Sequence, residues 1–169
     1  MIYYHGTDVY FTDLMLPTVE SYKDFGMGVY LAEREEHARR VAYWKRGAHA
    51  YVYKYQVNIT ELKKRYNIKV FRTISIEWVK YIIHNRTSYG GYDYDAIIGP
   101  TADNDAQGLV EKFIRDYPTP KDSDYRLLID ALMPLMSNGV RGHGIQMCIK
   151  SQELLNEFNA SKIGEKRLR

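Results

Sequence analysis

A chain of 169 residues, 45% of them hydrophobic, can bury roughly two-thirds of its unfolded surface, so a single domain with a core of its own is expected. Its one cysteine, Cys148, excludes an internal disulfide framework and fits a reducing, cytoplasmic setting, while the absence of an export-type N-terminus or a run of about 18 apolar residues predicts a soluble, unexported protein. The formal net charge of +3 is that of residues 162–169, where Lys162, Lys166, Arg167 and Arg169 stand against Glu165, so the domain, residues 1–161, is neutral and gives little support to phosphate-backbone binding, and the basic tail is expected to be solvated and frayed.

Residues 1–4 read as a short apolar strand that gives way at His5-Gly6-Thr7 to a turn. A loop through Pro17 leads to residues 24–33, Asp-Phe-Gly-Met-Gly-Val-Tyr-Leu-Ala-Glu, in which Gly26 and Gly28 permit a tight turn with room for a ligand, and Val29 to Ala32 suit a buried strand. Residues 33–46 switch to a helical period, with Ala38, Val41, Ala42 and Lys45 on one face and Glu33, Glu35 and Glu36 near the start, where carboxylates favour the helix dipole. Residues 50–57 alternate, with Tyr51, Tyr53, Tyr55 and Val57 on one face. Thr60 is a candidate cap for a short helix, residues 68–71 form a strand, and Ser75 caps a helix to about Asn85. After Gly90-Gly91 comes the strand 96–98, stopped by Gly99-Pro100. Two amphipathic helices follow, near 105–116 and near 122–135, the second disturbed by Pro134. A glycine-rich loop surrounds His143. Residues 145–150 then alternate, with Gln146, Cys148 and Lys150 on one face, before Ser151 caps a last helix with Leu154, Leu155 and Phe158 inward. Strands and helices are interspersed without the regular crossovers of a doubly wound sheet, which makes the fold class α+β.

Several familiar chemistries fail on this sequence. Asp24-Phe25-Gly26 copies a kinase motif without the loops a kinase needs before it. Gly26-x-Gly28 lacks the third glycine of a dinucleotide fingerprint. The five histidines show no paired ligand spacing, so no metal is expected. Most of the sixteen tyrosines are expected to pack at the edge of the core. RNA binding through the tyrosine-bearing strand 51–55 is disfavoured by the neutral body.

What remains is a trio at strand ends: His5, Tyr30 and Gln146. Tyr4-His5-Gly6-Thr7 is similar to the first-strand His-Gly-Ser/Thr motif of the ADP-ribosyltransferase superfamily, in the branch related to diphtheria toxin and the poly(ADP-ribose) polymerases. Residues 26–32, Gly-Met-Gly-Val-Tyr-Leu-Ala, look like its Gly-x-Gly-Ile-Tyr-Phe-Ala motif. Most of the chain resembles a small bacterial family within that superfamily, sharing Asp-Phe-Gly-x-Gly-x-Tyr, then Tyr-Asp-x-Ile-x-Gly-Pro-x-Ala-Asp-Asn at residues 94–104, then Gln-x-Cys and a Ser at Gln146, Cys148 and Ser151.

The resemblance implies a split, mixed β-sheet core with flanking helices and a helical insertion near 105–135. It implies an NAD-dependent mono-ADP-ribosyltransferase, with NAD as substrate, no metal and no membrane. The acceptor would be a macromolecule, protein or nucleic acid, and the family's reputation as toxins of toxin-antitoxin pairs adds an antitoxin protein as partner. In that frame His5 bonds a ribose hydroxyl, the Gly6 backbone holds the nicotinamide amide, and Tyr30 stacks on the pyridinium ring. Tyr43 would add a second ring, Tyr4, Thr7, Asp24, Phe25 and Gly28 would complete the NAD site, and Asp103 and Asn104 would form a second wall, with Asp103 as a base. The departure is Gln146, where the family has glutamate. A neutral acceptor in place of an ionised one is worth on the order of tenfold in rate. The alternative is a catalytically weak or inactive NAD- or protein-binding module of the same fold.

Overall fold

The computed structural model describes residues 1–19, 23–88, 93–102, 104–137 and 144–169, with the backbone alone at 104, 105, 136 and 137. Among these residues seven strands and six helices follow in the order β1 (Ile2–Thr7), β2 (Val29–Ala32), α1 (Glu35–Trp44), β3 (Tyr51–Gln56), α2 (Ile59–Leu62), β4 (Ile68–Val70), α3 (Ile76–Thr87), β5 (Ala96–Pro100), α4 (Asn104–Asp116), α5 (Asp122–Ser137), β6 (Ile145–Ile149), α6 (Gln152–Ala160) and β7 (Lys162–Arg167).

Local chemistry sets most boundaries. The Ser75 hydroxyl accepts the Trp78 N–H at 3.2 Å and the Ser151 hydroxyl accepts the Leu154 N–H at 3.3 Å, so α3 and α6 begin as their caps require. The cap of α2 is Asn58, which accepts the Glu61 N–H at 3.4 Å, and not Thr60, which lies inside the helix. Gly26 has a φ of 77°, the left-handed conformation that turns the chain into β2.

The strands form one mixed sheet in the order β4-β5-β6-β2-β1-β3-β7, parallel at β4–β5 and antiparallel elsewhere. β1 runs against β3 along its whole length, from Ile2 opposite Gln56 to Thr7 opposite Tyr51. β2 runs likewise against β6, from Val29 opposite Ile149 to Ala32 opposite Gln146. β1 and β2 meet at a single register pair, Tyr4 opposite Ala32. The sheet is thus two well-paired halves joined at one point.

Alternation sends the side chains into two cores. Tyr3, Tyr53, Tyr55, Leu31, Met147 and Ile149 pack on one face with Leu154, Leu155 and Phe158 of α6. Cys148 and Ile97 on the other face pack with Trp78, Val79 and Ile82 of α3 and with Val110 and Leu132 of α4 and α5, the helical pair expected near 105–135. α1 covers that second face over β1, so closely that a Cβ on Gly6 would lie 1.8 Å from the Ala38 carbonyl oxygen. α1 over one half and α3 to α5 over the other leave a gap above the junction of β1 and β2.

Two expectations change. His5 is not at a strand end, because β3 pairs with β1 beyond it as far as Thr7. Residues 162–167 do not fray: they are β7, hydrogen-bonded along the outer edge of β3. The tyrosine face of strand 51–55 packs as expected of most tyrosines, with Tyr53 and Tyr55 fully buried and Tyr51 partly so.

Candidate functional site

A cleft of about 860 Å³ occupies the gap between the two halves, a volume in the range of small-molecule and cofactor sites. His5 of β1, Tyr30 of β2 and Gln146 of β6 all line it, so the fold brings the trio together from three adjacent strands.

Tyr30 is held by its hydroxyl, which donates to the Gly26 carbonyl at 2.7 Å and accepts the Phe25 N–H at 3.0 Å. Burial, with Cys148 and Asp24 close by, pushes its phenol well above the ordinary range, so the ring is neutral and fixed. The Lys23 ammonium lies 5.0 Å from the ring centroid. A cation therefore already lies against the ring, and both residues line the cleft.

His5 alternates to the face opposite Tyr4 and Gly6 and reaches the cleft where β1 and β2 part. Its Nδ1 lies 2.9 Å from the Tyr30 carbonyl oxygen. That oxygen only accepts, so Nδ1 carries the proton and Nε2 keeps a free lone pair. Burial, with Lys45 and Lys23 adding to it, lowers the pKa to about 4 against the pull of the Tyr30 carbonyl, and the ring is neutral at physiological pH.

Gln146 shares a face with Ala32, Tyr30 and Cys148 and is 7% exposed. Its Nε2 donates to Oδ2 of Asp24 at 3.4 Å. The same carboxylate accepts the Ala102 N–H at 3.0 Å and is gripped by the Arg86 guanidinium through Nε at 3.2 Å and through a shorter contact from its terminal nitrogen. Asp24 and Arg86 form a buried ion pair that ties the turn before β2 to the end of α3 and to the segment after β5. With its amide nitrogen turned to Asp24, Gln146 keeps Oε1 as the acceptor for a ligand.

Other expected site residues lie elsewhere or have other duties. The Phe25 side chain is fully buried between Phe71 and Tyr81 in the core and is not a cleft residue. Thr7 is buried, and its hydroxyl accepts the Val9 N–H at 3.2 Å, which makes it a turn residue. Gly28 lines the cleft, but a Cβ there would lie 2.5 Å from both Cys148 Sγ and the Ile149 carbonyl oxygen, so its glycine is required by β6. Tyr4, Gly6 and Tyr43 line the cleft, Tyr43 from the end of α1. Asp103 lies outside the described residues, and Asn104 opens α4, its side chain likewise outside them. Cys148 is buried with its thiol pushed up to about 12 by that burial, an inert strand residue.

Sequence reasoning missed Lys23, Arg40 and Arg86. Together with Lys45 they give the cleft four cations against one carboxylate, Asp24, among its described lining residues. No motif marks them, because only the fold gathers a loop, a helix face and a helix end around one space. Among the described residues no group of three or more His, Cys, Asp or Glu side chains could hold a metal ion.

A family model described as "Protein of unknown function (DUF3990)" matches residues 1–159, which is β1 through nearly the whole of α6. The chain belongs to the DUF3990 family. No curated protein and no solved structure matches it. The match contains every cleft residue named above and ends before β7, the edge strand of this DUF3990 chain. Among the described residues no helix is long and apolar enough to cross a membrane.

Proposed function

We propose that the cleft binds NAD and that the protein is an NAD-dependent mono-ADP-ribosyltransferase of ADP-ribosyltransferase-like fold, moving ADP-ribose to a macromolecular acceptor. The observation that carries this reading is Tyr30, a neutral, anchored ring in the cleft that already attracts a cation. The nicotinamide of NAD is a flat cation that would take the place of the Lys23 ammonium on that ring.

The neighbours fit the rest of the molecule. Nε2 of His5 and Oε1 of Gln146 are both acceptors, which suits the two hydroxyls of a ribose. A neutral His5 does not repel the positive charge that builds on the sugar. Lys23 and Arg40 give the anionic pyrophosphate its counter-charge.

In the reaction the bond from ribose C1′ to the nicotinamide nitrogen breaks, and its electron pair leaves with nicotinamide, which departs neutral and needs no acid. An acceptor oxygen or nitrogen forms the new bond to C1′ and releases its proton. The transition state resembles an oxocarbenium ion, so orientation and electrostatics dominate.

One observation favours the second reading, a module that binds NAD without turning it over: the carboxylate nearest to Gln146, that of Asp24, is already neutralised by Arg86. Incubation of the purified protein with NAD and cell lysate separates the two. The transferase releases nicotinamide and labels a macromolecule, whereas the module binds NAD saturably and leaves it intact. An absence of NAD binding at millimolar concentration overturns both.

A further inference from the structure

We infer that the surface beside the cleft mouth, formed by Tyr43, Trp44, Lys45 and Arg46 at the end of α1 together with Lys166 and Arg169 at the end of β7, binds single-stranded nucleic acid. This inference stands whether or not NAD is turned over.

The sequence separates these residues by about 120 positions, and the sheet brings them together. Pairing of β7 with β3 is continued past Arg167 by the Leu168 N–H, which donates to the Ala50 carbonyl at 2.7 Å. Arg169 then arrives at the end of α1, where its guanidinium donates to the Gly47 carbonyl at 2.7 Å and lies 5.5 Å from the Tyr43 ring centroid. Lys166 stands opposite Val52, which shares the α1 face of the sheet with Gly6. The charge excess that looked like a loose tail is therefore part of a fixed surface. Among the described residues the carboxylate that pairs with this group is Asp8, 3.8 Å from the Lys45 ammonium.

Two further features are not required by packing. Trp44 is 69% exposed and Tyr43 is 40% exposed, two neighbouring aromatic residues left at the surface amid the cations. Arg46 has a φ of 54°, the left-handed position after a helix that glycine occupies without strain, yet an exposed arginine stands there with Gly47 directly after it. A cation at a helix C-terminus also favours the dipole, but the dipole does not call for an exposed indole.

Flat rings with cations around them match the two parts of a nucleic acid strand. Bases stack on aromatic faces, and phosphates neutralise Lys and Arg. Stacking needs free base faces, which a single strand has and a duplex does not. An acidic peptide would satisfy the cations and leave the indole unused. Tyr43 and Trp44 also line the cleft, so a strand held here has its bases at the mouth. If the proposed transfer takes place, that strand is positioned as its acceptor.

The test is a fluorescence-anisotropy titration of labelled 12-nucleotide RNA and DNA single strands, without NAD, with the matching duplex and a poly-glutamate peptide as competitors. Micromolar binding to a single strand is expected at low salt, with the duplex and the peptide competing weakly. The affinity should fall with added salt as roughly three phosphate contacts dictate. Trp44→Ala is expected to weaken binding about tenfold, the size of one lost base stack, with an unchanged far-UV spectrum. Arg46→Gly removes a cation while relieving the backbone, so it should weaken binding and raise the melting temperature. Absence of binding at low salt, equal competition by poly-glutamate, or affinity unaltered by both Trp44→Ala and Arg46→Gly overturns the inference.

Discussion

The side-chain amide of Gln146 has two ends, and with Asp24 Oδ2 3.4 Å from Nε2, Oε1 is the acceptor left for a ligand. This alters what a glutamate at position 146 would do. Gln146→Glu removes the donor and sets a second carboxylate against the first, so it is expected to cost about 1–3 kcal/mol of stability and to bring no gain in NAD turnover. Asp24→Asn alone takes from the buried Arg86 charge its closer carboxylate and leaves it the Glu111 carboxylate at 3.8 Å, a loss of about 3 kcal/mol. The double variant restores one carboxylate and one amide in reversed order. Urea unfolding should show it to be more stable than the sum of the single losses by at least about 1 kcal/mol. Additive losses, or a more active Gln146→Glu with wild-type stability, would remove Asp24 from this role. His5 gives a prediction in pH. Its folded pKa of about 4 lies below the ordinary 6.5, so between those values the unfolded chain binds more protons than the folded one. The stability from neutral His5 is complete above about pH 6.5 and declines as pH falls towards 4, by about 3 kcal/mol in all. In His5→Gln that part of the acid slope should be absent from unfolding curves measured across the window.

At the scale of elements, α1 lies directly against the backbone of β1. Gly6→Ala would place a methyl 1.8 Å from the Ala38 carbonyl, and both partners are backbone, so the helix must move. The expected loss is about 3 kcal/mol or more, seen in the urea midpoint, and the cleft beside it should lose its ligand too. β7 is the other element with a clear consequence. Removal of residues 162–169 would strip β3 of its outer neighbour and leave Tyr53 with its pairing to Glu165 gone. A lower melting temperature and a tendency to associate through the bared edge are expected by calorimetry and light scattering. A truncated chain as stable as the full one would restore the frayed tail. These elements differ in how readily they could be read from sequence. Ser75 and Ser151 announce their helices because a cap bonds a residue three positions away, and the alternation of Gln146 with Met147 is local as well. β7 carries Lys, Glu, Lys and Arg and exposes Ile163, because it is an edge strand with little to bury, and so it lacks the apolar signal that strand recognition relies on.

For the whole molecule, the same division between local and distant holds. The α+β class and the meeting of His5, Tyr30 and Gln146 were legible from motifs that occupy single strands. The ion pair of Asp24 with Arg86 spans 62 positions and the bond from Gln146 to Asp24 spans 122, and no short-range pattern encodes either. Phe25 shares a motif with site residues, yet burial against Phe71 and Tyr81 makes it core. The most direct test of the account is a calorimetric titration with NAD of the wild-type protein, Tyr30→Phe and Tyr30→Leu. Tyr30→Phe loses the hydroxyl bonds to Gly26 and Phe25 and keeps the ring, so it should be less stable yet bind NAD within about threefold of wild type, whereas Tyr30→Leu, without a π face, should bind about tenfold more weakly or worse. Wild-type protein that takes up no NAD, or equal affinity in all three, would contradict it.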